Sequence, residues 1–239
     1  MGGNLRNQAR WARGYFICCL VAVFLWSVAS IEVTSFSRSI PEDSRPGTTV
    51  ALISVNDLDS GLNGKVFCSI SDDVPFTLSP SLKDKMYSLV TKSPLDREKQ
   101  SHYDLTITAK DAGQPPLSSE KTISVVVSDV NDNSPEFSLS PYTFYVAEAN
   151  EPGTSVFSVK AFDRDENDNA LITYHILRDG SEGNKLSSFL NINSENGDIL
   201  ALKSFDFETV KTFQFQVVAT DSGTPSLSSN VTVNVKCCL

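Results

Sequence analysis

The chain has 239 residues, room for one or two domains, with an ordinary apolar content of 40%. Its formal net charge is −9; Arg6, Arg10 and Arg13 bring three positive charges and no acid to the first thirty residues, so the remainder carries about −12. So acidic a body excludes nucleic acid and anionic membrane surfaces as partners and suits a protein neutralised by cations.

In chain order, residues 1–30 read as a secretory signal peptide. A basic stretch ends at Arg13, an apolar run extends from Tyr15 to Trp26, and the small residues Ser27, Ala29 and Ser30 follow. The run is shorter than the roughly 20 apolar residues of a membrane span; an uncleaved signal anchor is the alternative. No later stretch is apolar enough to span a bilayer, so the sequence as given is expected to enter the secretory pathway without an anchor of its own. Of the five cysteines, Cys18 and Cys19 lie in the leader. Cys237 and Cys238 sit too close to the end for a prenylation box, and the set is not a disulfide scaffold.

Residues 31–135 form a first unit. Ile40-Pro41-Glu42-Asp43 and Pro46-Gly47-Thr48 open it, and Val50 to Val55 is a nearly continuous apolar run that predicts a core strand. Val66-Phe67-Cys68-Ser69-Ile70 alternates and sets Cys68 in step with Val66 and Ile70, as a small core hydrophobe. Tyr103, Leu105, Ile107 and Ala109 alternate with polar residues, as do Ile123, Val125 and Val127; this is the period of a half-buried strand.

Residues 136–239 repeat the pattern. Val146-Ala147-Glu148-Ala149 answers Ile40 to Asp43, Phe162-Asp163-Arg164-Asp165 answers Asn56-Asp57-Leu58-Asp59, and Phe205-Asp206-Phe207-Glu208 answers Leu95-Asp96-Arg97-Glu98. Ala219-Thr220-Asp221-Ser222-Gly223 answers Ala109 to Gly113. The offset grows from 106 residues (Glu42 to Glu148) to 110 (Asp111 to Asp221), which means tandem domains rather than a short-repeat solenoid. Phe213, Phe215, Val217 and Ala219 predict one strand, and Val231, Val233 and Val235 the last. About seven strands per unit, broken by Gly, Pro and Asp turns, predict an all-β fold of two tandem Ig-like Greek-key β-sandwiches. Asn230-Val231-Thr232 is a glycosylation sequon.

Between the units lies Asp129-Val130-Asn131-Asp132-Asn133-Ser134-Pro135. Two carboxylates about 6 Å apart in water repel by about 0.7 kcal/mol before salt screening. A polar turn alone accounts for Asn, Asp, Ser and Pro, but acidic motifs recur at matching intervals on both sides. A donor set of carboxylate, amide and carbonyl oxygens suits Ca²⁺.

The combination Pro-Glu-Asp, Asp-x-Asp, Leu-Asp-Arg-Glu, Asp-Ala-Gly and Asp-x-Asn-Asp-Asn resembles the calcium motifs of cadherin repeats and covers residues 31–239. Gly64 to Ile70 and Ser93 to Glu98 are similar to clustered protocadherins, and within them the units resemble the fourth and fifth ectodomain repeats. The resemblance implies a linker rigidified by three Ca²⁺ ions. Carried over, the ligands are Glu42, Asp96 and Glu98 from the first repeat. Asp129, the Val130 carbonyl, Asn131, Asp132 and the Asn133 carbonyl come from the linker. Asp163, Asp165, Asp221 and the Asn169 carbonyl come from the second repeat. The implied partners are other protocadherin ectodomains, homophilic or in cis, at the cell surface; neither nucleic acid nor a small-molecule substrate is implied.

The chain departs from that family pattern. No Asp-x-Asn-Asp-Asn follows Val235, and the family's membrane-distal repeats and transmembrane segment are not in the sequence. Asp57, Asp59 and Asp111 at one end, and Glu148, Asp206 and Glu208 at the other, are therefore expected to be half-sites. A secreted fragment that binds calcium without adhering is the alternative to an adhesion module. An EF-hand at Asp163-x-Asp165-x-Asn167 fails, because Asp168 stands where Gly is needed and Tyr174 where Glu is needed. An enzyme is not expected: His102 and His175 lack nucleophile partners, no zinc spacing, phosphate loop or nucleophile elbow appears, and recurrence of the carboxylates in both units argues against a glycosidase pair.

Overall fold

A computed structural model describes residues 27–81, 85–178 and 189–238; the proposed leader lies almost wholly outside them. The first repeat has eight strands: β1 (Ser30–Phe36), β2 (Ser39–Pro41), β3 (Thr49–Asn56), β4 (Val66–Ile70), β5 (Phe76–Pro80), β6 (Met86–Thr91), β7 (His102–Asp111) and β8 (Ser118–Ser128). They form two four-stranded sheets, in the orders β1-β3-β6-β5 and β2-β8-β7-β4. The first stretch of chain thus serves both sheets: β1 runs antiparallel to β3, and after Ser37 and Arg38 β2 runs parallel to β8.

The alternation read from the sequence is the alternation that is buried. Leu105, Ile107 and Ala109 of β7 face inward with Ile123, Val125 and Val127 of β8 and meet Ile53, Val55 and Leu89 of the other sheet. The apolar run in β3 departs from strict alternation. Val50 and Ala51 are both buried and Leu52 is turned outward, because the ladder to β6 shifts register between Thr49 and Ala51. Cys68 is half-buried and packs against this core; burial pushes its thiol pKa up. Ala29 is only 2% exposed and also packs into the first core.

The second repeat comprises β9 (Glu136–Phe137), β10 (Tyr142–Ala147), β11 (Ser155–Ser158), β12 (Ala161–Phe162), β13 (Thr173–Leu177), β14 (Leu190–Ile192), β15 (Asp198–Ala201), β16 (Thr212–Thr220) and β17 (Ser228–Cys238). Its sheets are β10-β17-β16-β13 and β11-β15-β14, with a short β9-β12 pair. A separate core gathers Leu190, Ile199, Val217, Val231, Val233 and Val235, and Phe144 stacks on Phe157 at 4.1 Å between ring centroids. Among the described residues the helical element is one 3-10 turn, Asn167–Ala170. There are two separate cores in series, and a domain of about 100 residues can bury enough apolar surface to fold alone. His102 and His175 are exposed on β7 and β13.

Candidate metal centre

The parallel pairing of β2 with β8 positions the site. Pro41 lies opposite Ser128, so the next residues of each strand, Glu42 and Asp129, leave the sheet side by side. β7 is antiparallel to β8, which brings the loop before it, with Asp96 and Glu98, to the same pole. On the second repeat, Phe162 of β12 pairs with Glu136 of β9, and Asp163 and Asp165 continue from it toward the linker. Asp221 follows β16 at that end.

Glu42 is 4% exposed, and its two oxygens accept from the Arg97 amide (2.8 Å) and the Val130 amide (2.9 Å). Two groups of carboxylates converge: Glu42, Glu98 and Asp132, and Glu98, Asp129 and Asp165, each with oxygen atoms within 4.8 Å of one another. Glu98 belongs to both. Asn133 donates from its backbone and side chain to Asp165 (3.2 and 2.7 Å). Asn131 donates to Asp221 (3.1 Å) and to the Pro225 carbonyl (2.7 Å). A Cβ on Gly223 would stand 2.2 Å from Asn131 Nδ2, so glycine in Asp-Ser-Gly leaves room for the linker amide.

This crowding has an electrostatic signature. Burial raises the carboxyl pKa of Glu42, and Glu98 and Asp132 add to it, against two backbone donors. Asp132 is raised by burial and by Glu98, Asp165, Asp96 and Asp129. Asp163 is raised by burial, with Asp165 and Asp221 contributing. Among the described residues, Asn131 Oδ1 and Asp163 Oδ2 are buried with no hydrogen-bond partner, and Asp129 Oδ1, ion-paired with Arg97 Nε at 2.5 Å, has no aligned hydrogen bond. Buried oxygens normally have partners; here such oxygens lie on the linker and the second repeat's Asp-x-Asp, alongside the converging carboxylates. An all-oxygen donor set with unsatisfied carboxylates fits a hard divalent cation.

Not every expected ligand sits in the two groups. Asp96 pairs with Lys99 at 2.6 Å, and that hydrogen bond lowers its pKa. Asp96 nonetheless borders an open cleft of about 410 Å³ shared with Glu98, Asp132 and Asn133. Asn169 reaches the site through its side-chain amide, which donates to Asp129 (3.0 Å). Val130 enters through the amide on Glu42. Two further residues take part: Arg97, whose side chain reaches Glu98, Asp129 and Glu166, and Glu166 itself. Arg97 lies within the Leu-Asp-Arg-Glu motif, but that motif does not say which way its side chain turns.

The residues expected to form half-sites fall into two kinds. In both repeats the first aspartate of Asp-x-Asp accepts from the amide two residues on, Asp57 from Asp59 (2.8 Å) and Asp163 from Asp165 (3.0 Å). In both, the other oxygen, Oδ2, is buried without a hydrogen-bond partner among the described residues. Asp111 and Asp221 match too, each accepting from the amides two and six residues ahead. Glu148, Asp206 and Glu208, in contrast to Glu42, are exposed.

A tandem β-sandwich with a carboxylate-rich joint at the adjoining poles defines a class of tandem repeat. The Cadherin domain family matches residues 36–128 and 142–238, and the chain belongs to that family of adhesion proteins. Human Protocadherin gamma-A1 is 49% identical over 205 residues, 86% of this chain and 22% of the relative. Human Protocadherin-10 is 48% identical over 206 residues, 86% of this chain and 20% of the relative. The chain thus spans about a fifth of the curated relatives it matches. Among solved structures, Protocadherin Gamma B2 extracellular cadherin domains 3-6 superposes with a TM-score of 0.84 at 43% identity, covering 89% of this chain and 50% of that one. The Protocadherin gammaB7 EC3-6 cis-dimer structure gives 0.84 at 46% identity, covering 89% and 51%. Among the described residues no helix is long and apolar enough to cross a membrane.

Proposed function

We propose that this chain is a calcium-binding module of a cell–cell adhesion protein, in which Ca²⁺ stiffens the joint between two cadherin repeats. The observation that carries the reading is the convergence of Glu42, Glu98, Asp129, Asp132 and Asp165 from both repeats, beside Asn131 and Asp163 oxygens that are buried without a hydrogen-bond partner among the described residues. Glu42, Glu98 and Asp132 would hold one ion, and Glu98, Asp129 and Asp165 a second. Asn131, Asn133, Asp163, Asp221 and the Asn169 carbonyl supply oxygens on the second repeat's side. Asp96 joins them once it leaves Lys99. Bound calcium supplies positive charge that turns mutual repulsion into cross-links.

The chain's own residues do the positioning. The Arg97 and Val130 amides aim Glu42, Asn133 orients Asp165, and Asn131 ties the linker to Asp221. By family resemblance the module works at the cell surface with other protocadherin ectodomains, homophilically or in cis, after passage through the secretory pathway, where Asn230 is glycosylated. Extracellular calcium modules bind with Kd of about 10⁻⁴–10⁻³ M, and titration calorimetry is expected to show saturable binding in that range. Absence of binding at millimolar calcium contradicts the metal assignment. Binding of the immobilised chain to itself or to a protocadherin ectodomain tests the adhesive part; failure with all of them in calcium leaves a calcium module without adhesion.

A further inference from the structure

Arg97 reaches into the joint, and its side chain is only 8% exposed. From the first repeat it meets Glu98 through Nη2 and Asp129 through Nε (2.5 Å), both members of one carboxylate group. Across the joint, Nη1 meets Glu166 at 3.0 Å and Nη2 donates to the Arg164 carbonyl. Burial works against its charge, but Asp129 and Glu98 more than compensate, and its pKa is raised. The contact with Asp129 is close without being well directed: Nε and Oδ1 are buried, and neither has an aligned hydrogen bond.

The fold of a repeat does not need an arginine here. The matching position of the second repeat is Phe207, half-buried against its core. What differs is the surroundings: Arg97 faces the carboxylates of a joint. An arginine stays charged at any physiological pH, and its planar fork can engage several oxygens at once.

We propose that Arg97 is a built-in cation that bridges the two repeats when calcium is scarce and gives way when Glu98 and Asp129 take up the metal. The inference rests on the calcium reading above. One residue then sets two properties in opposite directions: it holds the metal-free joint together and it weakens calcium binding by competing for the same oxygens. Because the outer anchor, Glu166, is 56% exposed, the bridge is a weak one. It restrains the metal-free joint only partway, and millimolar calcium displaces it.

The test compares the wild-type chain, Arg97→Gln and Arg97→Lys by calcium titration calorimetry and by small-angle scattering in EDTA. Circular dichroism melting checks that each variant folds. Arg97→Gln is expected to bind calcium about tenfold tighter or more, since a positive charge a few ångströms from the ions is removed. In EDTA it should show a wider spread of dimensions than wild type. Arg97→Lys keeps the charge and should bind calcium close to wild type, but it lacks the fork and should be looser in EDTA. Glu166→Gln, remote from the first repeat's fold, should also be looser in EDTA and provides the bridge test should the Arg97 variants unfold. A purely electrostatic Arg97 would change affinity and leave all EDTA scattering curves alike, which overturns the bridge. Unchanged or weaker calcium binding by Arg97→Gln, with wild type binding normally, overturns the competition. Absence of binding by every chain overturns the calcium reading and the competition with it, while the EDTA comparison still decides the bridge.

Discussion

Glu42 and Val130 are 88 residues apart in sequence, and the Val130 amide donates to Glu42 Oε1 at 2.9 Å. That bond exists because β2 and β8 run parallel and end at the same pole. It fixes a carboxylate in the joint while leaving its remaining lone pairs free for a cation.

Asp132→Ala removes an oxygen donor that both repeats surround, whereas Asp57→Ala removes one at the opposite pole of the first repeat. Titration calorimetry is expected to show a much larger loss of calcium affinity for Asp132→Ala. Equal effects would mean that the joint is not the main binding site.

The metal-free chain should respond to pH in a direction set by the raised carboxyl pKa values of Glu42, Asp132 and Asp163. An acid whose folded pKa exceeds its unfolded value binds its proton more tightly when folded. Its stabilising contribution is complete below the unfolded pKa and is lost as pH rises through the folded one. In EDTA, Tm is therefore expected to rise as pH falls from neutrality toward the ordinary carboxylate range. With calcium the slope should reverse there, because protons compete with the metal for the same oxygens. Thermal unfolding across pH with and without calcium checks both signs; a falling metal-free Tm over that window counts against the crowding.

The two cores should fail separately. Leu105 is fully buried in the first core, and Leu105→Ala is expected to cost about 2–5 kcal/mol. Calorimetric scanning in EDTA should show the first repeat's transition move down and the second's stay. Equal displacement of both would mean that the repeats melt as one body without metal.

Asn230 lies exposed on β17, opposite Val218 of β16 and in line with His175 of β13. A secretory host should attach an N-glycan there, seen as a mass shift that enzymatic deglycosylation reverses and Asn230→Gln abolishes. A chain of unmodified mass would contradict this.

Much of this architecture is legible in the sequence because its information is local and periodic. The alternation of Leu105, Ile107 and Ala109, and of Val231, Val233 and Val235, names strands and their buried faces together. The recurrence of Asp-x-Asp and Asp-x-Gly reveals two copies of one unit, even to the matching hydrogen bonds of Asp111 and Asp221. What is not legible depends on meetings between distant residues. Arg97 finds Glu166 69 positions away, and only the placement of the second repeat brings them together. The outward turn of Leu52 comes from a register shift that composition does not encode. Asp96 reads as a ligand, but its nearest cation is Lys99 on the same loop.

Calcium is expected to bind the folded joint and hardly at all the unfolded chain, and thermal unfolding of the whole chain across a calcium titration, with magnesium as the control, measures this directly. A ligand selective for the folded state stabilises it by RT ln(1 + [L]/Kd), about 2.7 kcal/mol at one hundred times Kd. Tm is expected to climb steadily through the millimolar range of calcium and far less with magnesium, which demands tighter octahedral geometry and dehydrates reluctantly. A Tm indifferent to calcium up to ten millimolar, roughly ten times the weakest Kd expected of such modules, would contradict it.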